Sequence, residues 1–393
     1  MASDHRSLYR AHRPQTFADV VGQRHITETL SHAVAADRAH HAYLFTGPRG
    51  TGKTSTARIL AKALNCADGP TATPCGVCQP CADIAQGAHV DVVEIDAASH
   101  GGVDDVRDLR DRVALAPAQA RTKVYIVDEC HMLSTAGWNA FLRTVEEPPG
   151  HVLFVFATTE PHKVLDTITS RTQRFDFRRV NTATLAAHVD EIAAVESLTL
   201  DPVARDLVVR AGDGSVRDTL SVLDQVRAFV GDDIGGEAVA EVLGTVGADE
   251  LAELAEGIAA GDVAGLCALV GRLADAGVDL RQLAGDAVEH LRRLLLLRAA
   301  PDTDLLELGA DTTAQLRRQA SGMATAELLR ATELLAEAQA AMRRGNIRLP
   351  LEIALIKAAQ PESAGDPGAL AARVERLERG EADAGRRVAG DTA

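Results

Sequence analysis

Up to about residue 180 the chain alternates short apolar runs with stretches of helical periodicity. The runs are Ala42–Thr46, Val92–Ile95, Lys123–Glu129, Val152–Thr159 and Arg174–Phe177. Each is short enough for a strand, and all but Arg174–Phe177 are predominantly apolar without strict alternation, which marks strands buried on both faces. Between them, Gln23–Ala36, Ser55–Leu64, Val103–Val113 and Ser134–Glu147 carry helical spacing, and Pro148-Pro149 stops the last of these. The pattern predicts an α/β fold with a parallel sheet and ligands at the C-terminal strand edge. Arg13 to Gln23 reads as an extended stretch and a turn.

From about residue 180 only helical spacing remains. Asp201-Pro202 opens one helix with proline at its first position. Gly212 and Gly214 punctuate its end, and Ser215-Val216-Arg217-Asp218 is an S-x-x-D variant of the capping box. From Asp249 to Ala359 the chain is rich in Ala and Leu. Leu291-Arg292-Arg293-Leu294-Leu295-Leu296-Leu297 is too apolar for a lone exposed helix and must face another helix or another subunit. The expected organisation is an α/β domain over 1–179, a helical lid over 180–243, a helical oligomerisation domain over 244–360, and a linker and disordered tail over 361–393. Within that tail, Leu370, Val374 and Leu377 share one helix face.

Composition refines this picture. Hydrophobic residues make up 46% and aromatics 3%, so the expected cores are aliphatic. The net charge of −15 excludes a globally basic nucleic-acid binder and leaves only a local basic surface for that role. The N-terminus lacks a signal-like apolar core, and no apolar run is long enough to span a membrane. The expectation is a soluble, cytoplasmic protein.

Two motifs carry chemistry. Gly47-Pro48-Arg49-Gly50-Thr51-Gly52-Lys53-Thr54 matches the phosphate-binding pattern G-x-x-x-x-G-K-[ST] in full, between a strand and a helix as that motif requires. Its backbone N–H groups, continued by Ser55 at the helix start, suit a phosphate chain. Lys53 would reach the terminal phosphates and Thr54 would bind Mg²⁺, which points to ATP. Asp128-Glu129 ends a buried-type strand: Asp128 suits the Mg²⁺ shell and Glu129 the attacking water. Thr158 or Thr159 would sense the γ-phosphate, or merely cap a turn. Arg217 lies in the first turn of a helix, where a cation is unfavourable without an anion opposite. A phosphate would supply one; a surface pair with Asp213 or Asp218 is the plainer reading. Tyr9, Arg10, Val20 and Val21 belong either to a nucleobase pocket or to a packing arm. The second motif is Cys66, Cys75, Cys78 and Cys81, spaced C-x8-C-x2-C-x2-C, the donor set of a closed structural Zn²⁺ site. Cys130 and Cys267 read as core residues.

Together these residues resemble the clamp-loader ATPases of the AAA+ class, from about Tyr9 to Lys357. The resemblance rests on the phosphate loop, the four-cysteine insertion directly after its helix, the Asp128-Glu129 strand, the Arg13–Gln23 entry and the Trp138–Pro149 stretch. It implies an ATPase working in a hetero-pentamer within a DNA polymerase holoenzyme, with a sliding clamp and primer-template DNA as partners and a collar as the third domain. It further implies that Thr159 is the first sensor, Arg217 the second, and Arg171, in Ser170-Arg171-Thr172, an arginine reaching into a neighbouring subunit's ATP. Thr172 stands where the family has Cys. Ala97–Val103 lacks an expected basic residue near the DNA-tracking helix, for which His100, Arg107 or Arg110 would substitute. The tail suits a short-form member. Two other functions compete: a non-catalytic replisome scaffold, which the intact Lys53, Thr54, Asp128 and Glu129 disfavour, and an AAA+ DNA translocase, which needs no zinc module.

Overall fold

In a computed structural model the described residues are 7–99, 109, 112–244, 246–301, 310–342, 347–360, 370 and 374. Most of the expected helix at Val103–Val113, the basic substitutes His100, Arg107 and Arg110, and most of the tail lie outside them. The chain forms two compact units, Met1–Val239 and Ala240–Ala393.

The first unit is a five-stranded parallel sheet flanked by helices. Its strands are β1 (Ala42–Thr46), β2 (Val92–Asp96), β3 (Lys123–Asp128), β4 (Val152–Thr158) and β5 (Gln173–Asp176), in the order β2-β3-β4-β1-β5. Side chains alternate between two cores. Tyr43, Phe45, Val124, Ile126, Leu153 and Val155 pack on one face. Leu44, Tyr125, Val127, Phe154 and Phe156 pack on the other, with Trp138 and Phe141 from the helix Thr135–Glu146. Burial on both faces is why the central strands β1, β3 and β4 read as unbroken apolar runs, whereas β2 and β5 at the sheet margins are more exposed. The expectation of aliphatic cores fails here, because the few aromatics are concentrated on this sheet, where they pair closely, as Tyr125 does with Phe154 at 5.5 Å between ring centroids.

All five strands run the same way, so Thr46, Asp96, Asp128, Thr158 and Asp176 end along one edge. The chain leaves β1 for β2, three strands away, then returns through β3 to β4 beside β1 before placing β5 on the other side. That reversal opens a crevice beyond β1, where an open α/β sheet binds its ligand.

Local structure departs from expectation in three places. The Arg13–Gln23 stretch is not simply extended: it holds a short helical turn at Phe17–Asp19, and another, Leu8–Ala11, precedes it. β3 stops at Asp128, and Glu129 takes a left-handed conformation with φ 45°. The segment after residue 180 is not purely helical, since Thr199–Leu200 and Asp233–Ile234 pair as a small parallel ladder. The helix Val216–Val230 begins as expected, with Ser215 Oγ accepting the Asp218 N–H at 3.2 Å.

The second unit is helical. Its core comes from Ala248–Ala260, Val263–Asp275, Leu280–Ala299, Thr325–Ala341 and Arg348–Ala359, with Leu316 and Ala320 from Ala310–Ser321. Leu291, Leu294 and Leu297 are buried within it, so the leucine-rich run faces helices of its own unit. Cys130 is buried as expected, whereas Cys267 is only half-buried. Among the described residues no helix is long and apolar enough to cross a membrane.

Candidate nucleotide site and cysteine cluster

The phosphate loop lies in the crevice beyond β1. Gly47, Gly50 and Gly52 all have positive φ, at 134°, 73° and 100°. Two of them are also pinned by close neighbours. A Cβ on Gly47 would run into the Phe177 carbonyl, and one on Gly50 into the Ser215 hydroxyl. Only glycine meets both demands. Thr51 Oγ1 closes the loop on the Pro48 carbonyl at 2.9 Å.

Lys53 is buried, and its Nζ donates to the carbonyls of Gly47 and Pro48, each at 2.8 Å. Burial lowers its pKa, against the pull of Glu129 and Asp128. The loop therefore curls around an ammonium group that a phosphate oxygen can share. The next residue, Thr54, donates from Oγ1 to Asp128 Oδ2 at 2.6 Å. These are the two groups a Mg²⁺ ion would take as oxygen ligands. Asp128 Oδ1 in turn accepts the Glu129 N–H at 2.9 Å, supporting the left-handed backbone there.

Thr158 and Thr159 are separated cleanly. Thr158 is buried and its hydroxyl accepts the Glu160 N–H at 2.9 Å. Thr159 lies past the strand end and donates to Glu129 Oε2 at 3.1 Å. Loop, β3 end and β4 end thus form one hydrogen-bonded row from Thr54 to Thr159.

Arg217 approaches the same loop. Its N–H donates to the Gly50 carbonyl at 3.4 Å, and its guanidinium lies 5.1 Å from the centre of the Tyr9 ring. The surface pairing with Asp213 does not form, since Asp213 pairs with Arg179. Arg10 Nε donates to the Tyr9 hydroxyl at 3.0 Å. Val20 is buried and Val21 half-buried, and a Cβ on Gly52 would stand 3.5 Å from Val20 Cγ1. Val20 therefore borders the loop, and Tyr9 meets Arg217, whose main chain bonds the loop. Arg171 does not: its guanidinium pairs with Glu146 at 2.7 Å and bonds the Thr167 carbonyl at 2.7 Å.

Two neighbours escaped the sequence reading. Arg13 donates from Nε to Ser55 Oγ at 3.0 Å. His131 places Nδ1 3.0 Å from Thr158 Oγ1 and 3.4 Å from Glu129 Oε2. The only sequence signal for His131 was its place two residues after Glu129.

The four cysteines converge at the far end of the loop's helix, Lys53–Asn65. Their Sγ atoms all lie within 4.8 Å of one another. Main-chain N–H groups of Ala67, Cys75 and Cys78 point at the sulfurs of Cys78, Cys66 and Cys75, at 3.4–3.5 Å. Such donors favour thiolates. Burial pushes the Cys81 thiol up to about 12. Burial also opposes ionisation of Cys78, but N–H donation from Ala67 and Cys81 outweighs it and brings that thiol down to about 7.

Comparison with known proteins places these features in context. Residues 22–181 match the family model for "DNA polymerase III, delta subunit". Residues 184–232 match "DNA polymerase III clamp loader subunit, ATPase lid domain", and 234–374 match "DNA polymerase III subunits gamma and tau domain III". The chain is 46% identical over 381 residues to the DNA polymerase III subunit gamma/tau of Mycobacterium tuberculosis, covering 95% of this chain and 66% of that protein. It is 41% identical over 360 residues to the subunit tau of Bacillus subtilis, covering 91% and 63%. To the subunit gamma of Buchnera aphidicola it is 34% identical over 298 residues, covering 76% and 80%. The chain thus spans about two thirds or slightly less of the mycobacterial and Bacillus relatives.

Proposed function

The chain belongs to the DNA polymerase III gamma/tau family, and from that premise we propose that it is an ATP-hydrolysing subunit of a DNA polymerase clamp loader. The observation that carries this reading is the hydrogen-bonded row Thr54–Asp128–Glu129–Thr159 beside the buried Lys53. In this reading the row supplies two Mg²⁺ ligands, a water-orienting carboxylate and a phosphate-sensing hydroxyl at the C-terminal ends of neighbouring strands. Mg²⁺, held by Thr54 and Asp128, would supply charge compensation for the phosphates. Lys53 binds the terminal phosphates, Glu129 orients the attacking water, and Thr159 reports on the γ-phosphate through its bond to Glu129. Tyr9 and Val20 take the nucleoside end, and Arg217 ties the loop to the lid helix. Arg171 serves a neighbouring subunit's nucleotide, consistent with its bonds to Glu146 and Thr167 rather than to its own loop.

The partners in this reading are further clamp-loader subunits, a ring-shaped clamp and primer-template DNA. Cys66, Cys75, Cys78 and Cys81 hold a structural Zn²⁺. Four thiolates bound tetrahedrally at the usual zinc–sulfur length stand about 3.8 Å apart, a short contraction from the spacing seen. Single-turnover ATP hydrolysis by the assembled complex tests the function. Strong stimulation by primed DNA together with the clamp supports it, and equal rates with and without them overturn it.

A further inference from the structure

Glu129 stands on a left-handed backbone that the Asp128 carboxylate supports from below. A non-glycine residue with φ 45° and ψ 44° is uncommon and strained. The consequence is to lift its carboxylate off the end of β3 toward β4. Two groups meet it there. Thr159 donates to Oε2 at 3.1 Å, and His131 Nδ1 lies 3.4 Å from the same oxygen.

His131 is itself held. It sits on the short helical turn Cys130–Met132 directly after Glu129, and its side chain is only 9% exposed. The same Nδ1 lies 3.0 Å from the buried hydroxyl of Thr158. That hydroxyl oxygen already accepts the Glu160 N–H. The end of β4 and the Glu129 carboxylate therefore meet the imidazole at one nitrogen. Thr158 at the end of β4 and Thr159 just past it thus reach Glu129 by two routes: Thr159 directly and Thr158 through His131.

We propose that His131 is a positioning residue for Glu129, joining its carboxylate to the end of β4 so that displacement of Thr159 by a terminal phosphate is passed to the water-orienting group. The proposal rests on the reading of Glu129 as that group. A proton on Nδ1 donates toward Glu129 and holds the carboxylate near β4. With Nδ1 instead accepting the Thr158 O–H, its lone pair faces Oε2 and the carboxylate is freed toward the nucleotide. One imidazole thus offers a held and a released arrangement without moving the backbone.

The test compares His131→Ala, His131→Asn and His131→Gln chains within the assembled complex, measuring single-turnover hydrolysis, ATP-analogue affinity and melting temperature. The Asn amide can stand where Nδ1 stands; the longer Gln amide corresponds to Nε2. His131→Ala is expected to lower the hydrolysis rate by about ten- to a hundredfold with analogue affinity unchanged. His131→Asn should recover most of the rate and His131→Gln little. A full rate in His131→Ala overturns the proposal. So does a fall that matches a lost melting temperature, or equal rescue by Asn and Gln. A Glu129→Gln control separates the two readings. If it still hydrolyses ATP, the role of Glu129 is wrong. If it is inactive while His131→Ala is unimpaired, only the role of His131 is wrong.

Discussion

The two units use their buried space in opposite ways. Every Phe, Tyr and Trp of the chain lies between Tyr9 and Phe229, in the first unit. There the buried set also includes Lys53, Lys62, Asp91, Lys123 and Thr158. The core of the second unit is Leu, Ala, Val, Ile and Met, with fewer buried polar groups among the described residues: His290, Glu327 and Arg330. The sheet unit spends aromatic packing on a stiff platform whose edge carries buried polar groups, each of which needs a partner. Asp91, for example, is satisfied by three backbone N–H groups from Ala118, Gln119 and Ala120 at 2.7–2.9 Å. The helical unit has little such edge chemistry. Its contribution is shape and surface, which suits assembly rather than reaction.

That contrast is open to direct attack, beginning where the effect is largest. Glu129→Gln removes a charge but little volume, so hydrolysis should fall by roughly a hundredfold or more while ATP binding and melting temperature persist. A parallel loss of binding would show that Glu129 holds the loop rather than the water. Next comes the cysteine cluster. One zinc per chain is expected by elemental analysis. Its removal should destabilise the first unit by several kcal/mol, read as loss of protease resistance around residues 66–81. Absence of bound metal in protein purified without chelator would refute the assignment. The third test lies in the other unit. Leu291→Ala should cost about 2–5 kcal/mol of the second unit's stability and leave single-chain nucleotide affinity untouched. A matching loss of nucleotide affinity would break the division of labour drawn above.

Much of the site was legible because its parts are local. The phosphate loop is eight consecutive residues, and their order between strand and helix already restricts what they can bind. The cysteines fall within sixteen residues, and their short spacings force the sulfurs together. Asp128 and Glu129 announce themselves by ending an apolar run. What could not be read were the long-range contacts. Nothing near Gly50 reveals that Ser215 will press on it, nor anything near Gly47 that Phe177 will. His131 became visible only when β4 was laid beside β3, which brought Thr158 against it. The left-handed turn at Glu129 was hidden for a different reason: its side chain has no conformational preference for it, so the surrounding bonds impose it. The aromatic sheet core was missed because a chain-wide average conceals a composition that differs between units.

The central claim is that the loop at Gly47–Thr54 is one half of an ATP site completed by a neighbour's Arg171. Its most direct test is a mixed complex in which only one subunit carries Arg171→Ala, with single-turnover hydrolysis followed at each nucleotide site. The account predicts that the adjacent subunit's site loses about a thousandfold or more in rate, while the altered subunit's own site hydrolyses normally. Loss confined to the altered subunit's own site, or undiminished hydrolysis at both, would contradict it.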